Sequence, residues 1–117
     1  MNLNISISIG ELLDRISILQ IKSQHTSKVH KELKTLRTLA EFNDVYNALF
    51  LENLYEVNSK LWNIEDELRV HEKNQDFSQD FITRARQVYI LNDKRAKIKR
   101  EINEYYGSEQ QEVKIYS

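Results

Sequence analysis

The side chains able to do chemistry in this sequence are carboxylates at helical spacing, three histidines and one dense run of cations. Glu65, Asp66 and Glu67 stand together, and Glu101 and Glu104 are three apart. Facing helices that each present an i, i+3 carboxylate pair can hold magnesium, as in helical nucleotide pyrophosphatases, but the 101/104 pair has no clear mate. A solvated face paired with nearby Lys and Arg is the expected fate of these acids. His25, His30 and His71 have no partner at zinc or di-iron spacing: there is no H-E-x-x-H and no Glu-x-x-His. Glu67 and His71 are four apart and could share a helix face, where His71 is expected to pack at the end of an apolar seam. Cysteine is absent, which excludes thiolate chemistry, disulfides and Cys-based zinc sites. Neither a metal nor a cofactor is expected.

The cations of "DKRAKIKRE", residues 93–101, are Lys94, Arg95, Lys97, Lys99 and Arg100. On a helix they point in several directions instead of forming one stripe. Residues 44–72 hold seven acids against two bases, so complementarity within the molecule accounts for the run. With a net charge of −1, nucleic acid is not the expected partner. Asn92 lies between Tyr89 and Ala96 on a largely apolar face, so it is expected to be buried and hydrogen-bonded, fixing register. Arg15, Arg69 and Arg95 could gather around an anion as in helical chorismate mutases. That fold needs one long first helix, which the polar cluster at residues 23–27 interrupts.

The elements that position these groups are helical. The chain has 117 residues, 30% charged and 40% hydrophobic, a length and balance for one soluble domain spanning residues 1–117. No apolar run reaches the ~18–20 residues of a membrane span, and no signal-peptide pattern opens the sequence, so the expected location is the cytoplasm. Proline is absent, and the two glycines are Gly10 and Gly107, leaving everything between them free of strong helix breakers. Ser8 as N-cap, Glu11 at N3 and an Ile7–Leu12 staple predict a helix over about 9–23. Gly10 inside its first turn costs about 0.5–1 kcal/mol against alanine, which points to close approach by another backbone or a ligand. Val29, Leu33, Leu36 and Ala40 predict a second helix at about 28–41, with Lys28, Lys31, Lys34 and Arg37 off that stripe. Asn43-Asp44 offers the next cap.

Phe50, Leu54, Val57, Leu61, Ile64, Leu68 and His71 form a heptad seam, predicting a third helix over about 44–72. A second stripe, Ala48, Leu51, Tyr55 and Trp62, fades after Trp62, so the first half of this helix must face two neighbours. Ser78, with Phe77 stapled to Ile82, starts a fourth helix over about 78–106, which Gly107 ends. The expected fold is therefore all-α, three to four helices dominated by a long antiparallel hairpin. Alternation at both ends predicts a two-stranded ribbon pairing Leu3–Ile7 with Val113–Tyr116.

Four segments carry a family resemblance: IS-x-GEL-x-DRISIL-x-IK (residues 7–22), LW-x-IED (61–66), VY-x-x-ND-x-RA-x-IK (88–99) and IN-x-x-x-GSE (102–109). Together they resemble a family of small uncharacterised proteins of bacteria and their phages. Its members often carry proline at the positions of Ile9 and Gln79, both N1 positions of the helices above, which suits proline. The resemblance supplies no activity and no catalytic residue. A shared site would lie among Glu11, Asp14, Lys22, Glu65, Asp66, Asn92, Asp93, Arg95 and Lys99, beside Trp62 and Tyr89.

The function expected from the sequence is that of a non-enzymatic cytoplasmic assembly protein. It would be a homodimer through helix 3, with Leu51, Tyr55 and Trp62 at the contact, because that wide apolar face exceeds what one short helix hides. Two alternatives remain at this stage: a small helical enzyme or anion-binding protein using Glu11, Asp14 and Arg95, and a nucleic-acid-associated protein using the basic run of helix 4.

Overall fold

The computed structural model describes residues 1–108. It is built from α1 (Ile9–Lys22), α2 (His30–Phe42), α3 (Ala48–Lys73) and α4 (Gln79–Tyr106). No strand occurs among the described residues. The ribbon expected from the termini is thus not formed: residues 3–7 pair with nothing as a strand, and residues 113–116 lie outside the described residues. Alternation of Leu3, Ile5 and Ile7 needs a neighbouring strand to supply ladder bonds, and with none, Leu3 and Ile5 stay exposed.

The seam of α3 closes on α4 as an antiparallel hairpin, and α1 packs against both long helices while α2 packs on α1. Leu12, Leu13 and Ile16 of α1 meet Leu51, Leu54, Val57 and Leu61 of α3 and Ile98 and Ile102 of α4 in one core. The first half of α3 therefore does face two neighbours. Leu51 is 5% exposed inside that core, so it cannot also be a dimer contact.

Gly10 shows why α1 docks where it does. A Cβ there would lie 2.6 Å from the Lys99 carbonyl oxygen and 2.8 Å from Asn103 Oδ1, so only glycine lets the first turn of α1 reach the α4 backbone. The Gly10 amide, an orphan donor of the first turn, donates to Asn103 Oδ1 at 2.7 Å. Ser8 Oγ accepts from the Glu11 amide at 3.0 Å, which is the expected cap. The reciprocal half of the capping box is missing, because the Glu11 carboxylate is engaged by Arg15 and Lys99 instead.

Three helices end in the same way, with a left-handed residue and an amide reaching back five residues: Val45 to Ala40, Asp76 to His71 and Ser108 to Asn103. The left-handed positions are Asp44 (φ 57°), Gln75 (φ 53°) and Gly107 (φ 65°). Asn43 and Asp44 thus terminate α2 and do not start α3, whose cap is Asn47, accepting from the Phe50 amide at 3.1 Å. Ser78 precedes α4 without a side-chain cap bond. Phe77 lies edge-on to Phe81, centroids 5.2 Å apart, and both Phe77 and Ile82 remain about half exposed, so the expected staple is replaced by an aromatic pair.

Helix propensity alone says Gly10→Ala should stabilise α1. The packing reverses the sign: the substitution is expected to lower stability by about 1–3 kcal/mol in a urea melt, since a backbone carbonyl cannot move aside as a side-chain end would. An unchanged or raised midpoint would mean that α1 and α4 are not in this contact.

Candidate functional site

Contacts step backwards along α4 as they step forwards along α1: Gly10 to Asn103, Glu11 to Lys99, Asp14 to Arg95. The two helices are therefore antiparallel, and their facing residues bring two carboxylates and two cations together. Asp14 is fully buried. Arg95 grips it with both prongs, Nε to Oδ1 at 2.9 Å and a terminal nitrogen to Oδ2 at 2.5 Å. From α3, Asn58 Nδ2 donates to Asp14 Oδ1 at 3.0 Å and to Ser17 Oγ at 2.8 Å, while the Ser17 hydroxyl donates to the Asp14 carbonyl at 2.7 Å. Three helices thus meet on one carboxylate, and the described residues hold no buried side-chain polar atom without a partner.

One turn earlier, Glu11 accepts from Lys99 Nζ at 2.8 Å and from Arg15 Nε at 3.0 Å. Burial alone would raise the Glu11 carboxyl. The hydrogen bonds and charges of Lys99 and Arg15 outweigh it and hold the group below its ordinary value of 4.5. Chemically the cluster is closed. Asp14 is held by Arg95, and Glu11 by Lys99 and Arg15, so Arg95 and Lys99 are already engaged.

Of the residues named from sequence, Glu11, Asp14, Arg95 and Lys99 come together and the others do not. Lys22 and Asp93 lie on the surface, as do Glu65 and Asp66. Asp66 pairs with Arg69 of its own helix at 2.8 Å, and the neighbouring Glu67 faces Arg84 of α4, so Arg69 lies nearer the hairpin tip than Arg95. Trp62 is half-buried under a parallel stack with His25 (4.9 Å), and Tyr55 accepts a 2.6 Å bond from Gln24, so the turn after α1 already covers two of the proposed dimer residues. Tyr89 is 56% exposed. Asn92 is only half-buried, which corrects the expectation of a buried register residue. It precedes the part of α4, Arg95 to Asn103, on which α1 makes its hydrogen bonds.

The buried asparagines are Asn58 and Asn103 instead. Asn58 was legible in principle. It fills the vacant place in the second stripe of α3 (Ala48, Leu51, Tyr55, Asn58, Trp62, at 3-4-3-4 spacing), where a polar residue in an apolar series marks a buried hydrogen bond. His71 packs in the seam against Phe81 (5.9 Å), with Nδ1 3.1 Å from Asp76 and Nε2 3.2 Å from Asp80. Glu67 pairs with Arg84 at 2.9 Å. Among the described residues no three His, Asp or Glu side chains are placed to hold a metal ion.

Residues 3–117 match the model of a family described as a family of unknown function (DUF6165), and the chain belongs to it. Comparison with curated proteins and with solved structures finds no match.

Two substitutions test the cluster. Asp14→Ala leaves Arg95 and Asn58 facing a void and is expected to cost about 3–5 kcal/mol in a denaturant melt. A loss below about 1 kcal/mol would mean that water replaces the carboxylate freely. For Glu11, a lowered native pKa adds stability that is fully present above the unfolded value and is lost as the pH falls through the native one. Glu11→Gln should therefore melt below the wild type at pH 7, and the two curves should converge below the ordinary 4.5 of the carboxyl. Parallel curves down to acid pH would refute the assignment.

Proposed function

We propose that this family member is a non-enzymatic cytoplasmic interaction and assembly protein, a homodimer held by the far half of the α3–α4 hairpin. A single observation carries the reading: between Trp62 and Arg95 no residue is buried, although the seam there is apolar. Its origin is a mismatch of length. α3 and α4 have 26 and 28 residues, roughly 40 Å each, whereas α1 has 14, roughly 21 Å. Anchored at Gly10 and Asp14, α1 runs out opposite about residue 88 of α4. Beyond it the two long helices form a bare arm.

The arm has a face to offer. Ile82, Ala85, Tyr89, Asn92, Ala96, Lys99 and Asn103 follow one another at 3-4 spacing along α4. α1 lies on the second half of that stripe and leaves Ile82, Ala85 and Tyr89 exposed. On α3 the matching positions are Glu65, Arg69 and Glu72. A second copy, packed with its α4 antiparallel across a twofold axis near Ala85, would bury both apolar stripes and bring Arg86 of each copy toward the acidic α3 edge of the other. Two bare hairpins would then make a four-helix bundle. The contact is thus proposed beyond the Leu51 and Tyr55 region.

The enzyme or anion-binding alternative through Glu11, Asp14 and Arg95 is disfavoured by the mutual pairing of those groups. The nucleic-acid alternative is disfavoured because Arg95 and Lys99 turn inward, while Lys94 and Lys97 share a groove with Glu56 and Glu101.

Light scattering coupled to size exclusion at micromolar concentration tests the dimer. A mass near twice 14.0 kDa is expected, falling toward 14.0 kDa for Tyr89→Glu with helicity unchanged. A wild-type mass of 14.0 kDa, or a dimer indifferent to Tyr89→Glu, would overturn the arm as the contact.

A further inference from the structure

Charge in this molecule is unevenly placed. Residues 22–40 carry Lys22, Lys28, Lys31, Lys34 and Arg37 against the single acid Glu32, a local excess in a chain whose net charge is −1. Elsewhere acids are interspersed among the cations, and Arg15, Lys60, Arg69, Arg84, Arg95 and Lys99 sit within ion-pair distance of a carboxylate. Lys28, Lys31 and Lys34 form no ion pair with any described residue. Arg37 has only the loose 3.9 Å approach of Glu41.

A uniformly solvated lysine face would need no explanation. This face has a concavity, however, a groove of about 440 Å3 lined by His30, Leu33, Lys34, Arg37, Thr38 and Glu41 of α2 and by Ser23 after α1. The polar lining residues of α2 recur at 4-3-1-3 spacing, so the helix itself aims them to one side. Arg37 also stacks on an aromatic ring, its guanidinium 5.3 Å from the centroid of Tyr46, and among carboxylates it meets only Glu41 at 3.9 Å while lining the groove. A stacked guanidinium, an ammonium one turn away, a hydroxyl and an imidazole together fit an anion with several acceptor oxygens and more than one charge. The volume suits a small molecule.

We propose that the α2 groove binds a small phosphate-bearing anion through Lys34 and Arg37, with His30 and Thr38 as further donors. Glu41 is the opposing element at the rim: it repels such a ligand and competes for Arg37. The site is separate from the Asp14 cluster and from the arm, and it does not depend on dimer formation.

Inorganic pyrophosphate is the probe, titrated into the full chain at low ionic strength and followed by calorimetry and by amide shifts. Saturable one-to-one binding is expected, with shifts concentrated over residues 30–41. Lys34→Ala, an exposed substitution, should weaken binding about tenfold without moving the melting point. Glu41→Gln should tighten it, because the repulsion at the rim and the competition for Arg37 are both removed, and weaker binding by this variant would also overturn the site. Absence of saturation, shifts spread over the whole surface, or affinity unchanged by Lys34→Ala would each overturn the site.

Discussion

Taking the Asp14 carboxylate out of water costs several kcal/mol, and the remaining architecture is arranged to offset that cost. Arg95 supplies the charge and a bidentate geometry, Asn58 donates to the same carboxylate and is steadied by the Ser17 hydroxyl, and the backbone of α1 is held close enough by Gly10 for them to reach. None of these groups tolerates displacement along its helix axis. Hydrophobic contacts between Leu, Ile and Val would accept several registers of α1 on the hairpin at similar energy. The carboxylate accepts one, because in any other it is buried without its cation.

That division of labour explains what could be read from sequence. The helices were visible because their seams repeat at 3-4 spacing over many residues, and Ser8 and Gly107 mark real ends. The ends of α2 and α3 are legible to within a residue, but the roles of Asp44 and Gln75 in them are not, since a left-handed aspartate or glutamine looks like any polar loop residue and only the five-residue back-bond reveals it. Gly10 announced a close approach but not its partner. Glu11, Asp14, Arg95 and Lys99 were singled out, yet nothing in a linear pattern tells whether such groups face a ligand or each other. Leu51 misled for a related reason. A wide apolar face states how much must be covered, and the covering helix here is α1 of the same chain, aided by Gln24 and His25 over Tyr55 and Trp62.

The proposed functions lie at the periphery of the molecule. Its central ionisable groups, Glu11, Asp14, Arg95 and Lys99, are paired with one another, which is the condition of a structural network. Two of the surfaces left uncommitted carry the proposals, and they lie on different elements. One is apolar, on the projecting half of α4; the other is cationic, on the outer side of α2. α2 packs on α1, while the arm begins where α1 stops.

The same lock that buries Asp14 therefore decides which part of the hairpin is left bare. Were α1 to slide by one heptad, about 10 Å toward the hairpin tip, its apolar side would cover Tyr89 and Ala85 and uncover Ile102 at the other end. The core would lose one apolar contact and gain a similar one, so packing alone would barely discriminate between the two. Asp14 discriminates, because after such a slide it would face residue 88, a valine, while Arg95 would lose its carboxylate. A buried ion pair that adds little net stability over an apolar equivalent can still hold an interaction surface open, and in this fold that is the physical link between the polar cluster and the proposed assembly face.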